Sequence, residues 1–180
     1  YNAREHELRV IERTNLPPDA LLARYASDAD AYTDCWSTVV PGAVTHAAFV
    51  RAFYTGFAFR LERFILAAFA KRPSTDADVD ALANGTREKF AAWEVEARAE
   101  DQLLLRDFTG RTRSWLMVER TPDMRGTQLR FGSAVVPVFD ARTGERGLGR
   151  GFRWLLGFHT LYSRVLLRAA RARVLRAQRG

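Results

Sequence analysis

Residues 90–136 read FAAWEVEARAEDQLLLRDFTGRTRSWLMVERTPDMRGTQLRFGSAVV, and the period of this stretch decides the fold. Apolar and polar side chains alternate along much of it, the two-residue repeat of half-buried strands. Four strands are predicted: Phe90–Arg98, Gln102–Phe108, Thr112–Arg120 and Thr127–Val136. The breaks between them are Ala99–Asp101, Thr109–Arg111 and Thr121–Gly126. Connections this short make an antiparallel meander, because parallel strands require long crossovers.

Downstream, Gly144, Gly147, Gly149 and Gly151 mark a loop, and a long helix runs from about Arg150 towards the end. At about 100° per residue, Arg150, Arg153, Arg164, Arg168 and Arg171 share one side of it. Phe152, Leu155, Leu156, His159, Tyr162, Leu166 and Ala170 gather opposite, and Trp154, Phe158, Val165 and Ala169 widen that arc. So wide an apolar face predicts a helix packed on the sheet and flanked by further elements. Some 28 helical residues would span ~42 Å against ~24 Å for five strands, so the last turns are expected to overhang or fray.

Upstream, Ala31–Val40 is β-branched and aromatic and stops at Pro41-Gly42, the pattern of a strand. Thr45 is placed to cap a helix carrying Phe49 and Phe53 on one face. A second helix carries Phe57, Leu61, Phe64, Ile65, Ala68 and Phe69 and ends at Pro73. Ser74–Ala83 is a short capped helix. Its Asp76, Asp78 and Asp80 lack the glycine and glutamate that would complete a calcium loop. Residues 1–30 are ambiguous except for a short helix that Asp19 could cap, ending at Tyr25.

The 180 residues fit one domain, with residues 1–15 and 172–180 expected to be peripheral or frayed. Cys35 is the single cysteine, which excludes an intramolecular disulfide and a multi-cysteine zinc site. No stretch reaches the ~20 apolar residues of a spanning helix, and the polar start does not read as a leader, so a cytoplasmic protein is expected. The net charge of +7 is localised: from Gly147 onward there are eight arginines and no acid.

The stretches LPPDALLARY and DAYTDCWSTVVPG, the helix at Phe49–Phe53, then GSAVVPV, GLGRGFRWLLGFHTLYSRVLL and the basic tail together resemble the START-like, or SRPBCC, helix-grip superfamily. The resemblance covers about residues 16–170 and is nearest to a bacterial branch. It implies an α+β helix-grip fold, a curved antiparallel sheet wrapped around the C-terminal helix, with two shorter helices after the first strand. It also implies a mostly apolar cavity between sheet and helix. Relatives bind lipids, sterols, polyketides or other aromatic molecules, and some catalyse cyclisation, hydration or hydrolysis. The superfamily usually has seven strands, of which five are legible here. It has no universal catalytic motif, so no catalytic residue is carried over.

The residues themselves offer candidates. His159 lies mid-arc on the long helix, where it is either a ligand-facing imidazole or a hydrogen-bonded core histidine. Asp34 and Cys35 point to opposite faces of their strand. An inward Asp34 beside Trp36 would be a buried carboxylate available for acid–base work, and Cys35 reads as inert packing. Trp93, Trp115, Met117, Phe131 and Trp154 could line a pocket, together with Leu155 and Tyr162, or simply be core. Glu94 and Glu96 are expected to be solvated.

Gly147-Leu-Gly149-Arg-Gly151 lacks the context of a dinucleotide fingerprint, Gly132-Ser133 that of a nucleophile elbow, and the histidines a metal-ligand spacing. Arg164, Arg168 and Arg171 could meet an anionic membrane surface or, non-specifically, nucleic acid. The leading expectation is binding of a hydrophobic or aromatic small molecule, with no cofactor. The alternatives are an enzyme using His159 or Asp34 in the same cavity, and an adaptor working through the arginine helix.

Overall fold

The computed structural model describes residues 10–55, 75–139, 146–147 and 152–180, with side chains at all of these except 138–161. Along the chain run β1 (Glu12–Arg13), α1 (Ala23–Ala26), β2 (Tyr32–Pro41), α2 (His46–Tyr54) and α3 (Asp76–Ala83). Then come β3 (Lys89–Phe90), β4 (Trp93–Arg98), β5 (Gln102–Asp107), β6 (Thr112–Arg120) and β7 (Gly126–Val135). The short pair β8 (Val138–Phe139) and β9 (Arg146–Gly147) precedes α4 (Phe152–Ala177).

Seven strands form one sheet in the order β1-β2-β7-β6-β5-β4-β3, with every neighbouring pair antiparallel. The meander is therefore present, and its last strand, β7, pairs with β2 over ten residues. Two short strands were not legible in the sequence. Glu12–Arg13 extends the edge beyond β2, and the expected strand Phe90–Arg98 divides because Ala91 adopts φ +52°. The expected second helix after the first strand, Phe57–Phe69, lies outside the described residues.

The local signals explain the helices beside the sheet. Thr45 caps α2 by accepting from Ala48 N at 3.2 Å, and Thr75 and Asp78 form a reciprocal capping box on α3. Acids in the first turn of α3 favour its positive end.

One face of the sheet carries the larger core, where Trp36, Val40, Leu116, Leu129 and Phe131 meet α2, α3 and α4. α4 enters it through Leu166, Leu167, Ala170 and Val174, spaced as one helical stripe. The helix runs alongside β2 in the same direction. The Arg164 guanidinium lies 5.6 Å from the Trp36 ring centroid, and Gln178 Nε2 donates to the Pro41 carbonyl at 2.8 Å. α2 gives the final turns a packing partner, and Val174 is buried.

The opposite face is covered by the segment from Leu16 to Tyr25, which packs on Cys35, Leu104, Trp115, Met117 and Ala134. Gly132 permits this cover. A Cβ there would stand 2.7 Å from Leu22 Cδ2 and 2.8 Å from Trp115 Cε3. Gln102 fixes the cover by accepting from Leu21 N and Trp115 Nε1, both at 2.9 Å, and donating to the Asp19 carbonyl at 3.2 Å.

Candidate functional site

Strand parity and register build a row of polar groups on the face that bears α4. Asp34 stands opposite Ser133 across β2 and β7, and Ser133 stands opposite Ser114 across β7 and β6. All three are at least 95% buried. Ser133 donates to Asp34 Oδ1 from its hydroxyl at 2.5 Å and from its backbone N–H at 3.2 Å. Trp36 Nε1 donates to Asp34 Oδ2 at 3.1 Å. At the other end of the row, Ser114 Oγ and Tyr54 Oη lie 2.9 Å apart in a hydrogen bond. No salt bridge reaches Asp34 among the described residues, so its carboxylate is held by neutral donors alone.

Around this row lie Phe131, whose ring centroid is 4.8 Å from that of Phe53, and the paired residue Trp36. From α4, Ser163 brings a fully buried hydroxyl with no hydrogen-bond partner, and Tyr162 is half-buried against the same core. Thr38, two residues beyond Trp36 on the same face, also has an unpartnered buried hydroxyl. Burying such groups without partners costs stability, and a ligand oxygen would offset that cost. Sequence reading missed Ser114, Ser133, Tyr54 and Ser163. The available signal was parity, since Ser114 and Ser133 continue the inward series that holds Leu116 and Phe131.

Trp115 and Met117 do not join this site. The period of two turns them to the face opposite Leu116, under Leu22, so their expected place beside Phe131 is corrected. Trp93 is half-buried on the α4 face, but β4 lies three strands from β7, roughly 14 Å away. The side chains of Trp154, Leu155 and His159 lie outside the described residues. Cys35 faces the smaller core, where burial pushes its thiol pKa up, in keeping with inert packing. Glu96 is not the solvated acid expected. It accepts from Arg113 Nε at 2.7 Å and from the Tyr25 hydroxyl, tying the covering segment to β4 and β6. Of the arginine stripe, Arg164 and Arg168 are exposed and Arg171 is half-buried.

A separate groove of about 740 Å³ lies at the start of α2, lined by His46, Asn84, Arg98, Glu100, Asp101 and Val118 among others. His46 is 8% exposed and its Nε2 has no partner. Burial, reinforced by the Arg98 charge, lowers its pKa to about 4, against the pull of a Leu116 backbone hydrogen bond. Among the described residues no three His, Cys, Asp or Glu side chains gather as a metal site, and no helix is long and apolar enough to cross a membrane.

No protein-family model matches the chain, and neither a curated protein nor a solved structure matches it.

Proposed function

We propose that the chain is a helix-grip protein of the cytoplasm that binds a hydrophobic or aromatic small molecule between the sheet and α4. The molecule carries a hydroxyl or carbonyl oxygen that meets the buried polar row. The observation that carries this reading is the coexistence, on one face of the sheet, of the Asp34–Ser133 pair, the Ser114–Tyr54 pair that reaches α2, and the unpartnered Ser163 hydroxyl of α4. An apolar pocket with a few convergent polar groups is the usual build of a small-molecule site. Leu155 and His159 stand eight and four residues before Ser163 along α4.

Both Asp34 oxygens are already engaged by protein donors, which favours binding over proton transfer. A neutral fluorescent probe, N-phenyl-1-naphthylamine, tests the reading. It is expected to bind wild type with enhanced emission, and Leu155→Trp to weaken it at least ten-fold. Equal binding by a folded Leu155→Trp variant contradicts the location.

A further inference from the structure

We propose that the groove between α2 and the last turns of α4 is a second site, for a single-chain anionic amphiphile such as a medium-chain carboxylate. The groove has a volume of about 580 Å³, within the roughly 300–1,000 Å³ of small-molecule sites. Ala43, Val44, Ala48, Ala52, Val174 and Ala177 supply its apolar walls. Its remaining lining residues are polar, and most are engaged within the protein. Arg51 pairs with Asp80 at 2.5 Å, Thr55 donates to the Arg51 carbonyl at 2.7 Å, Thr45 caps α2, and Gln178 is bonded to Pro41.

Two groups are left over. Arg173 and Arg176 are exposed at the rim, and neither guanidinium forms an ion pair or hydrogen bond among the described residues. No acid is found among the described residues that line the groove. An apolar trough with two uncommitted cations at its lip complements an acyl chain ending in a carboxylate. A peptide is a poorer occupant, because the smooth alanine and valine walls offer its backbone nothing to bond. Nucleic acid is poorer still, as the described lining residues include no aromatic side chain for base stacking. Arg173 follows Arg164 by nine residues, about 180° around the helix, so this site lies on the flank away from the Arg164–Trp36 contact. It does not depend on the site beneath α4.

Calorimetric titration of the full chain with decanoate, below its micellar range, tests the proposal. Decanoate is expected to bind more tightly than octanoate, by up to about four-fold per methylene, and decyltrimethylammonium not to bind the groove. Arg173→Glu/Arg176→Glu should weaken decanoate roughly ten-fold or more, and Ala48→Trp should abolish it. N-Phenyl-1-naphthylamine binding and the melting temperature should be retained in Arg173→Glu/Arg176→Glu, which separates this site from the one under α4. Failure of wild type to bind decanoate, or unchanged binding in both variants, overturns the proposal. So does sedimentation with anionic phosphatidylglycerol vesicles in the absence of decanoate binding, which would assign the arginines to a bilayer.

Discussion

Ser133 gives both its hydroxyl and its backbone N–H to one oxygen of Asp34, 99 residues earlier in the chain. The contact crosses the β2–β7 pair, where a buried polar group is costly unless hydrogen-bonded. Trp36 supplies the remaining donor, so the first strand of the ten-residue pairing carries both the carboxyl group and one of its donors.

Removing that carboxylate takes an acceptor from three buried donors at once. Asp34→Ala is expected to cost about 1–3 kcal/mol, the penalty for a buried polar group that loses its partner. Asp34→Asn retains an acceptor oxygen and should cost about half as much. Urea unfolding of the three proteins measures both, and a near-neutral Asp34→Ala would show that the bonds do not hold the β2–β7 pairing.

The back-face residues should matter for stability alone. Met117→Ala is expected to lose about 2–5 kcal/mol by leaving a cavity under Leu22. Its affinity for N-phenyl-1-naphthylamine, measured under folding conditions, should stay within two-fold of wild type. A ten-fold loss of affinity would return Met117 to the ligand site.

How much of this was legible in the sequence follows from which forces act locally. The meander showed itself because alternation and turn residues are local signals, and Thr45 and the α3 acids announced their helices for the same reason. β1 was hidden because two residues, Glu12 and Arg13, cannot display a period, and their strand exists only through pairing with Trp36 and Ser37. At the site, Asp34 and Trp36 were visible as alternatives, but their partners were not. Choosing between Asp34 and Cys35 required knowing which face receives α4, and joining Asp34 to Ser133 required the long-range register. Trp115 and Met117 were drawn into the pocket by residue type, although parity with Leu116 already separated them.

His46 should make the protein acid-sensitive above the ordinary carboxylate range. Its pKa is about 4 in the fold against 6.5 normally, so between these values the unfolded chain binds a proton that the fold refuses. Stability therefore falls as pH drops through this window and is insensitive to this group above it. From pH 7 to 5 the loss is expected to be about 2 kcal/mol. His46→Leu should remove most of that difference in urea titrations at the two pH values. An equal loss in the variant would assign the sensitivity elsewhere.

The two buried indoles give the most direct test of a ligand beneath α4. Trp36 Nε1 bonds to Asp34 on the helix-bearing face, and Trp115 Nε1 bonds to Gln102 on the other. Each gives its own indole N–H resonance in a ¹⁵N-correlated spectrum, assignable by Trp→Phe substitution. On titration with N-phenyl-1-naphthylamine, the Trp36 resonance is predicted to shift saturably while the Trp115 resonance stays in place. Saturable binding that moves Trp115 and leaves Trp36 untouched would contradict a ligand site between the sheet and α4.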